Sequence, residues 1–83
     1  MFVDVVLSFE GTHLAMAADK ALQEAGVPFT MIPTPTAISA GCGISLRMEA
    51  SLLGQAREVL GRQAPPIAAD AHGLDEAGAY TQL

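Results

Sequence analysis

Hydrophobic positions run almost unbroken from Phe2 to Phe9, interrupted only by Asp4 and Ser8, the pattern of a central strand covered on one face. Gly11 ends the run, and Thr12 is expected as the N-cap of a helix, its hydroxyl accepting one of the unpaired amides there. Leu14, Ala15, Ala18, Ala21, Leu22 and Ala25 then recur at helical spacing, with Asp19, Lys20, Gln23 and Glu24 on the other side, and Gly26 is the natural stop. Val27 to Ile32 reads as a second strand. It is closed by Pro33-Thr34-Pro35, because proline donates no hydrogen bond to a ladder and biases its predecessor toward extended geometry. TAISAGCG is a loop, after which Ile44 to Met48 alternates as a third strand with Ser45 and Arg47 on one face. A second helix follows near Ser51, with Leu52, Leu53, Ala56, Val59 and Leu60 as its buried stripe and Gly61 as its end.

The remainder, from Arg62 onward, mixes proline, glycine and acids without a sustained period. Residues 62–79 are therefore expected to form an irregular surface segment. Tyr80 to Leu83 is a candidate terminal strand, with Ile67 to Ala69 as its competitor. The order strand, helix, strand, strand, helix, with an optional last strand, is βαββα(β). It predicts an α+β fold of the ferredoxin-like split βαβ type: a small antiparallel sheet with two helices on one face, in a single domain over residues 1–83. That topology brings the loop after the first strand and the loop between the second and third strands to the same edge of the sheet.

Composition narrows the partners. The chain has 83 residues and a net charge of −5, from nine acids against four Lys or Arg, so no nucleic acid is expected as a partner. No apolar run reaches the roughly 20 residues that span a bilayer, and Asp4 stands where a secretion signal would carry basic residues. A soluble, cytoplasmic protein with no membrane partner is the expectation. The one cysteine cannot form an internal disulfide, which suits a reducing compartment and leaves either a buried, inert thiol or a chemically useful one.

That thiol, Cys42, sits in the stretch with the most unusual local chemistry, Ile32 to Arg47. Prolines stiffen its start, Gly41 and Gly43 flank the sulfur and are expected to leave it open, and Thr34, Thr36 and Ser39 add hydroxyls. Thiolate is the nucleophilic form, and an ordinary cysteine with a pKa of roughly 8.5 is mostly protonated at neutral pH. The N-terminus of the first helix, with Thr12 and His13, and Arg47 beyond the loop, are the groups expected to stabilise an anionic sulfur. His72, in the irregular tail, is expected to be solvent-exposed. Met16, Met31 and Met48 are read as core filler. Cys42 and the two histidines lack any recognised ligand spacing, so neither a metal nor another cofactor is expected.

Phe9, Thr12-His13 with Ala15-Met16, Ile32-Pro33-Thr34-Pro35, Ile38-Ser39, Cys42-Gly43 and Leu46-Arg47 together give a combination in which the chain resembles the small selenium/sulfur carrier protein-like family, over about the first sixty residues. Thr36 stands where family members commonly carry a basic residue, and Gly11 where many carry serine; the acidic, proline-containing tail lies outside the resemblance. The resemblance implies a compact α/β domain with Cys42 as the carrier residue. Cys42 would accept sulfur or selenium as a persulfide or selenosulfide from a donor protein and pass it to an acceptor protein, a carrier role more than that of a stand-alone enzyme. The alternative is a non-catalytic ligand- or protein-binding regulatory module in which Cys42 is structural. The open edges of such a sheet leave room for a homodimer.

Overall fold

Five strands and two α-helices make up the computed structural model, which describes residues 1–38 and 41–83. In chain order they are β1 (Phe2–Ser8), α1 (Thr12–Glu24), β2 (Thr30–Pro33), β3 (Ile44–Glu49), α2 (Leu53–Gly61), β4 (Asp70–Asp75) and β5 (Tyr80–Gln82), with a 3-10 turn over Ala50–Leu52 leading into α2. The sheet is antiparallel, in the order β2-β3-β1-β4-β5. The fold is thus α+β, as the sequence predicts, with the first strand at its centre.

Alternation along the strands sorts the two faces. Val5 and Leu7 of β1, Leu46 and Met48 of β3 and Ala71 of β4 enter one buried cluster with Ala15, Ala18, Ala21 and Leu22 of α1 and Ala56 and Leu60 of α2. Both helices therefore lie on the same face. Their contact stripes are built largely from alanine, which lets them sit close to the sheet and to each other at the cost of little apolar area per residue. The opposite face carries Asp4, Val6 and Ser8 of β1 beside Ser45 and Arg47 of β3, following the pairing Val6↔Arg47 and Leu7↔Leu46.

Helix α1 stops where the sequence says it should. Gly26 has φ +74°, its amide donates to Gln23 O at 3.1 Å and that of Val27 to Leu22 O at 3.0 Å, while the buried Val27 and Leu22 side chains add the apolar contact that completes a Schellman motif. The start differs from expectation. The N-cap is Gly11, without a side-chain capping bond, and Thr12 is already the first helical residue.

The tail departs most from the sequence reading. The segment expected to be irregular contains β4, which pairs along β1 from Ser8↔Asp70 to Phe2↔Asp75. DAHGLD is poor in the β-branched and aromatic residues that announce a strand, but β1 needs a partner on its second edge and β4 satisfies it. Tyr80–Gln82 does form a strand, pairing with β4, whereas Ile67 to Ala69 does not. The β4–β5 turn is tied by Asp75 Oδ1, which accepts from the amides of Ala77 at 2.9 Å and Ala79 at 3.0 Å, with Gly78 supplying φ +84°. His72 consequently lies on a strand and is half-buried, not in an open loop. Of the methionines read as core, Met48 is buried, while Met16 and Met31 are exposed.

Arg47 Nε donates to Asp4 Oδ2 at 2.7 Å across the helix-free face. Both side chains retain solvent contact, at 43% and 24% exposure, so screening keeps this pair weak. Arg47→Ala is expected to lower stability by no more than ~1 kcal/mol, as urea denaturation would measure; a larger loss would show that the guanidinium stem packs on the sheet as well as pairing. Among the described residues, no helix is long and apolar enough to cross a membrane.

Candidate functional site

The turn after β1 and the loop between β2 and β3 meet at one edge of the sheet, and Cys42 lies at their junction. Its thiol donates to Thr12 Oγ1 at 3.6 Å and accepts the Ile44 amide hydrogen at 3.4 Å. Thr12 opens α1, so the sulfur stands beside the first turn of a 13-residue helix, where backbone dipoles favour negative charge. The Thr12 hydroxyl, expected from the sequence to cap the helix, is turned to the sulfur instead. Because a hydroxyl both donates and accepts, it can rotate to donate to a thiolate. A sulfur anion at this position would meet two donors, one from the backbone and one from a side chain.

Access is where the structure corrects the sequence reading. Cys42 is 3% exposed and belongs to the helix-side core cluster with Phe9, Ala15 and Leu46. The flanking glycines do not leave the sulfur open in this conformation, and their roles differ. A Cβ on Gly41 would lie 2.2 Å from the backbone oxygen of Glu10, whereas a Cβ on Gly43 would meet nothing within 4 Å. Gly41 is thus glycine because two backbones touch there, at the contact that brings the Cys42 loop to the β1–α1 turn.

Thr34 works on the peptide around Cys42 and not on its sulfur. Its amide donates to Gly43 O at 2.9 Å, and its hydroxyl donates to Cys42 O at 2.9 Å. With that proton committed, the 2.8 Å contact between Thr34 Oγ1 and Ser45 Oγ must be a bond donated by Ser45. Ser45 is completely buried. Thr34 and Ser45 therefore pinch the loop shut at its neck.

The remaining candidates fall elsewhere. His13 is exposed, its ring folds back on Gly11, and it lines a cleft of about 390 Å³ between α1 and the segment after α2, with Leu14, Lys20, Pro65 and Ile67. The hydrogen bonds described for Cys42 do not include it. Arg47 sits three residues into β3, roughly 10 Å from the strand's start, on the face opposite the core cluster and paired to Asp4. The expectation that it backs the sulfur fails on strand alternation alone. Ser39 lies outside the described residues.

Three participants escaped sequence reasoning: the Ile44 amide, the Glu10 carbonyl and buried Ser45. Two of them are backbone groups, which leave no trace in residue type. Ser45 shares a face with Arg47 as expected, but its burial depends on what lies over it. Among the described residues, no group of three or more His, Cys, Asp or Glu side chains could hold a metal ion.

No curated protein and no solved structure matches the chain significantly. A family model does, over residues 4–69, a span that includes Thr12, the whole Cys42 loop, both helices, β2, β3 and β1 from Asp4 onward. By that match the chain belongs to the family described as Putative Se/S carrier protein-like.

Proposed function

We propose that this protein carries sulfur or selenium on Cys42. The observation that carries the reading is the pair of contacts to Sγ, from the Ile44 amide and the Thr12 hydroxyl, at the first turn of α1. Family membership supports it. In the loading step the Cys42 thiolate attacks the outer sulfur of a donor protein's persulfide, R–S–SH. The new S–S bond to Cys42 forms as the donor's S–S bond breaks, and the donor leaves as the thiolate R–S⁻. No net oxidation occurs, so no further reagent is needed. Unloading is the same exchange with an acceptor thiolate, and selenium replaces the outer sulfur without changing the electron count.

Burial of Cys42 means that exchange proceeds through an opened form of the loop, which donor and acceptor proteins would favour by docking. The strand order β2-β3-β1-β4 supports a ferredoxin-like reading of the domain, with β5 appended to its edge. Persulfide chemistry suits a reducing, cytoplasmic setting.

The test is incubation with a cysteine desulfurase and cysteine, followed by intact mass measurement. A gain equal to one sulfur atom, reversed by a thiol reductant, is expected. If the desulfurase loads a control acceptor while this protein gains nothing, the carrier reading is lost.

The 3% exposure of Cys42 favours one second reading, a binding module in which the thiol is core. Under it, partner binding survives Cys42→Ser unchanged and no sulfur adduct forms.

A further inference from the structure

Cys42 has little room for a second atom on its sulfur. A chalcogen bonded to Sγ lies about 2.05 Å from it. Placed toward Thr12 Oγ1 or Ile44 N, now at 3.6 and 3.4 Å, it would come within roughly 1.5 Å of the oxygen or nitrogen, far inside contact distance. Cys42 as a whole is 3% exposed and belongs to the packed core cluster, which leaves little space for an added atom. On one side, Gly41 is already wedged on the Glu10 carbonyl and cannot retreat inward. On the other side, a Cβ at Gly43 would meet nothing within 4 Å, so outward movement of the peptide is not blocked there and is opposed by the burial of Cys42 and by hydrogen bonds.

Apart from the two bonds to the sulfur itself, those on the Cys42 and Gly43 carbonyls come from one residue. Thr34 holds Gly43 O through its amide, Cys42 O through its hydroxyl, and Ser45 through the bond its hydroxyl accepts. We propose that Thr34 is a latch on the thiol: it is closed over free Cys42 and released when the sulfur carries a second chalcogen, so that loading state is displayed as the conformation of the chain from Cys42 to Ser45. The device rests on the carrier reading for its purpose, but the steric argument holds for any sulfur-linked adduct. An unloaded protein would keep its thiol sheltered from oxidants. A loaded one would present its cargo to an acceptor.

Methyl methanethiosulfonate supplies a probe that needs no partner protein. The Cys42 thiolate attacks its divalent sulfur, forming Cys42–S–S–CH₃ and releasing methanesulfinate, and the adduct can be made in mild urea and returned to buffer. Amide hydrogen exchange then compares the thiol and adduct forms. Thr34 and Ile44 amides are expected to exchange ~10-fold faster or more in the adduct, with Ala18 to Leu22 of α1 unchanged. Exchange at both amides within about twofold of the thiol form overturns the latch.

A second arm measures iodoacetamide alkylation of the native free thiol. Thr34→Val should react ~10-fold faster than wild type and Thr34→Ser, which keeps the hydroxyl, close to wild type. If the adduct does not refold, this arm decides: equal rates for Thr34→Val and wild type overturn the proposal. A protein that takes no sulfur from a desulfurase yet opens with the methylthio adduct keeps the latch and loses the carrier role, so the two failures are separable.

Discussion

Cys42→Ser is expected to abolish sulfur loading while leaving the fold in place. Serine fills slightly less volume, and its shorter C–O bond draws the hydroxyl back from Thr12 Oγ1 and the Ile44 amide, which stand 3.6 and 3.4 Å from the sulfur, so these bonds weaken and the stability loss should be about 1–3 kcal/mol. The chemistry does not survive. A hydroxyl is not ionised near neutral pH and is a poor nucleophile toward sulfane sulfur, so loading from a desulfurase should fall on the order of 10³-fold, below detection by intact mass. Circular dichroism melting alongside the mass measurement separates a chemical loss from unfolding. Loading that persists in Cys42→Ser would place the chemistry elsewhere in the chain and remove Cys42 from the reading altogether.

Gly41→Ala is expected to be the most disruptive single-methyl change in the loop. The added Cβ would stand 2.2 Å from Glu10 O, a backbone atom that cannot swing aside as a side chain can. The φ of Gly41 is not in the positive range, since Gly26 and Gly78 alone among the described residues are, so the cost is steric and not conformational. Either the Cys42 loop lifts or the β1–α1 turn shifts, and the Thr12 contact to the sulfur is lost in both cases. Overpacking of this kind costs about 1–3 kcal/mol, which in a domain of this length lowers the melting temperature by something on the order of 10 °C. Alkylation of Cys42 should quicken at the same time. Gly43→Ala, one position past the cysteine, is the control: its Cβ points into open space, and stability should change by no more than ~0.5 kcal/mol. Equal melting of Gly41→Ala and wild type would mean that the two loops are not in contact in solution, and the proposed site would lose its frame.

Both outcomes turn on the same arrangement. In the proposed carrier the sulfur would depend on the β2–β3 loop being pressed against the start of α1, where Cys42 is also buried. Gly41 makes the approach possible, Thr12 and Ile44 turn polar groups toward the sulfur, and Thr34 closes the neck behind it. A carrier built this way would trade exposure for protection.

How much of this was written in the residues themselves can be followed position by position. The helix over Thr12 to Glu24 and its stop at Gly26 follow from apolar spacing and from one residue able to take positive φ; both are local properties, and local physics decided them. The first strand follows from its nearly unbroken apolar run and the third from alternation, as does the placing of Ser45 and Arg47 on one face. Cys42 stood out because a lone thiol between two glycines, after a stiff proline segment, is chemically distinctive whatever the fold. The family match over residues 4–69 agrees with the resemblance carried by those same motifs. What failed depended on pairing. DAHGLD is a strand because β1 lay open on one edge, a fact that no property of those six residues contains. Closeness in sequence suggests Arg47 beside the sulfur, yet an extended chain carries it away and pairs it with Asp4 from a strand more than forty residues earlier. The burial of Cys42, the turning of Thr12 from cap to sulfur partner, and the contact of Gly41 with Glu10 are products of two loops meeting at one edge. Sequence determined which groups were available, and only the sheet's long-range order determined which of them touch, because contact between distant segments is fixed by packing and not by the preferences of either segment alone.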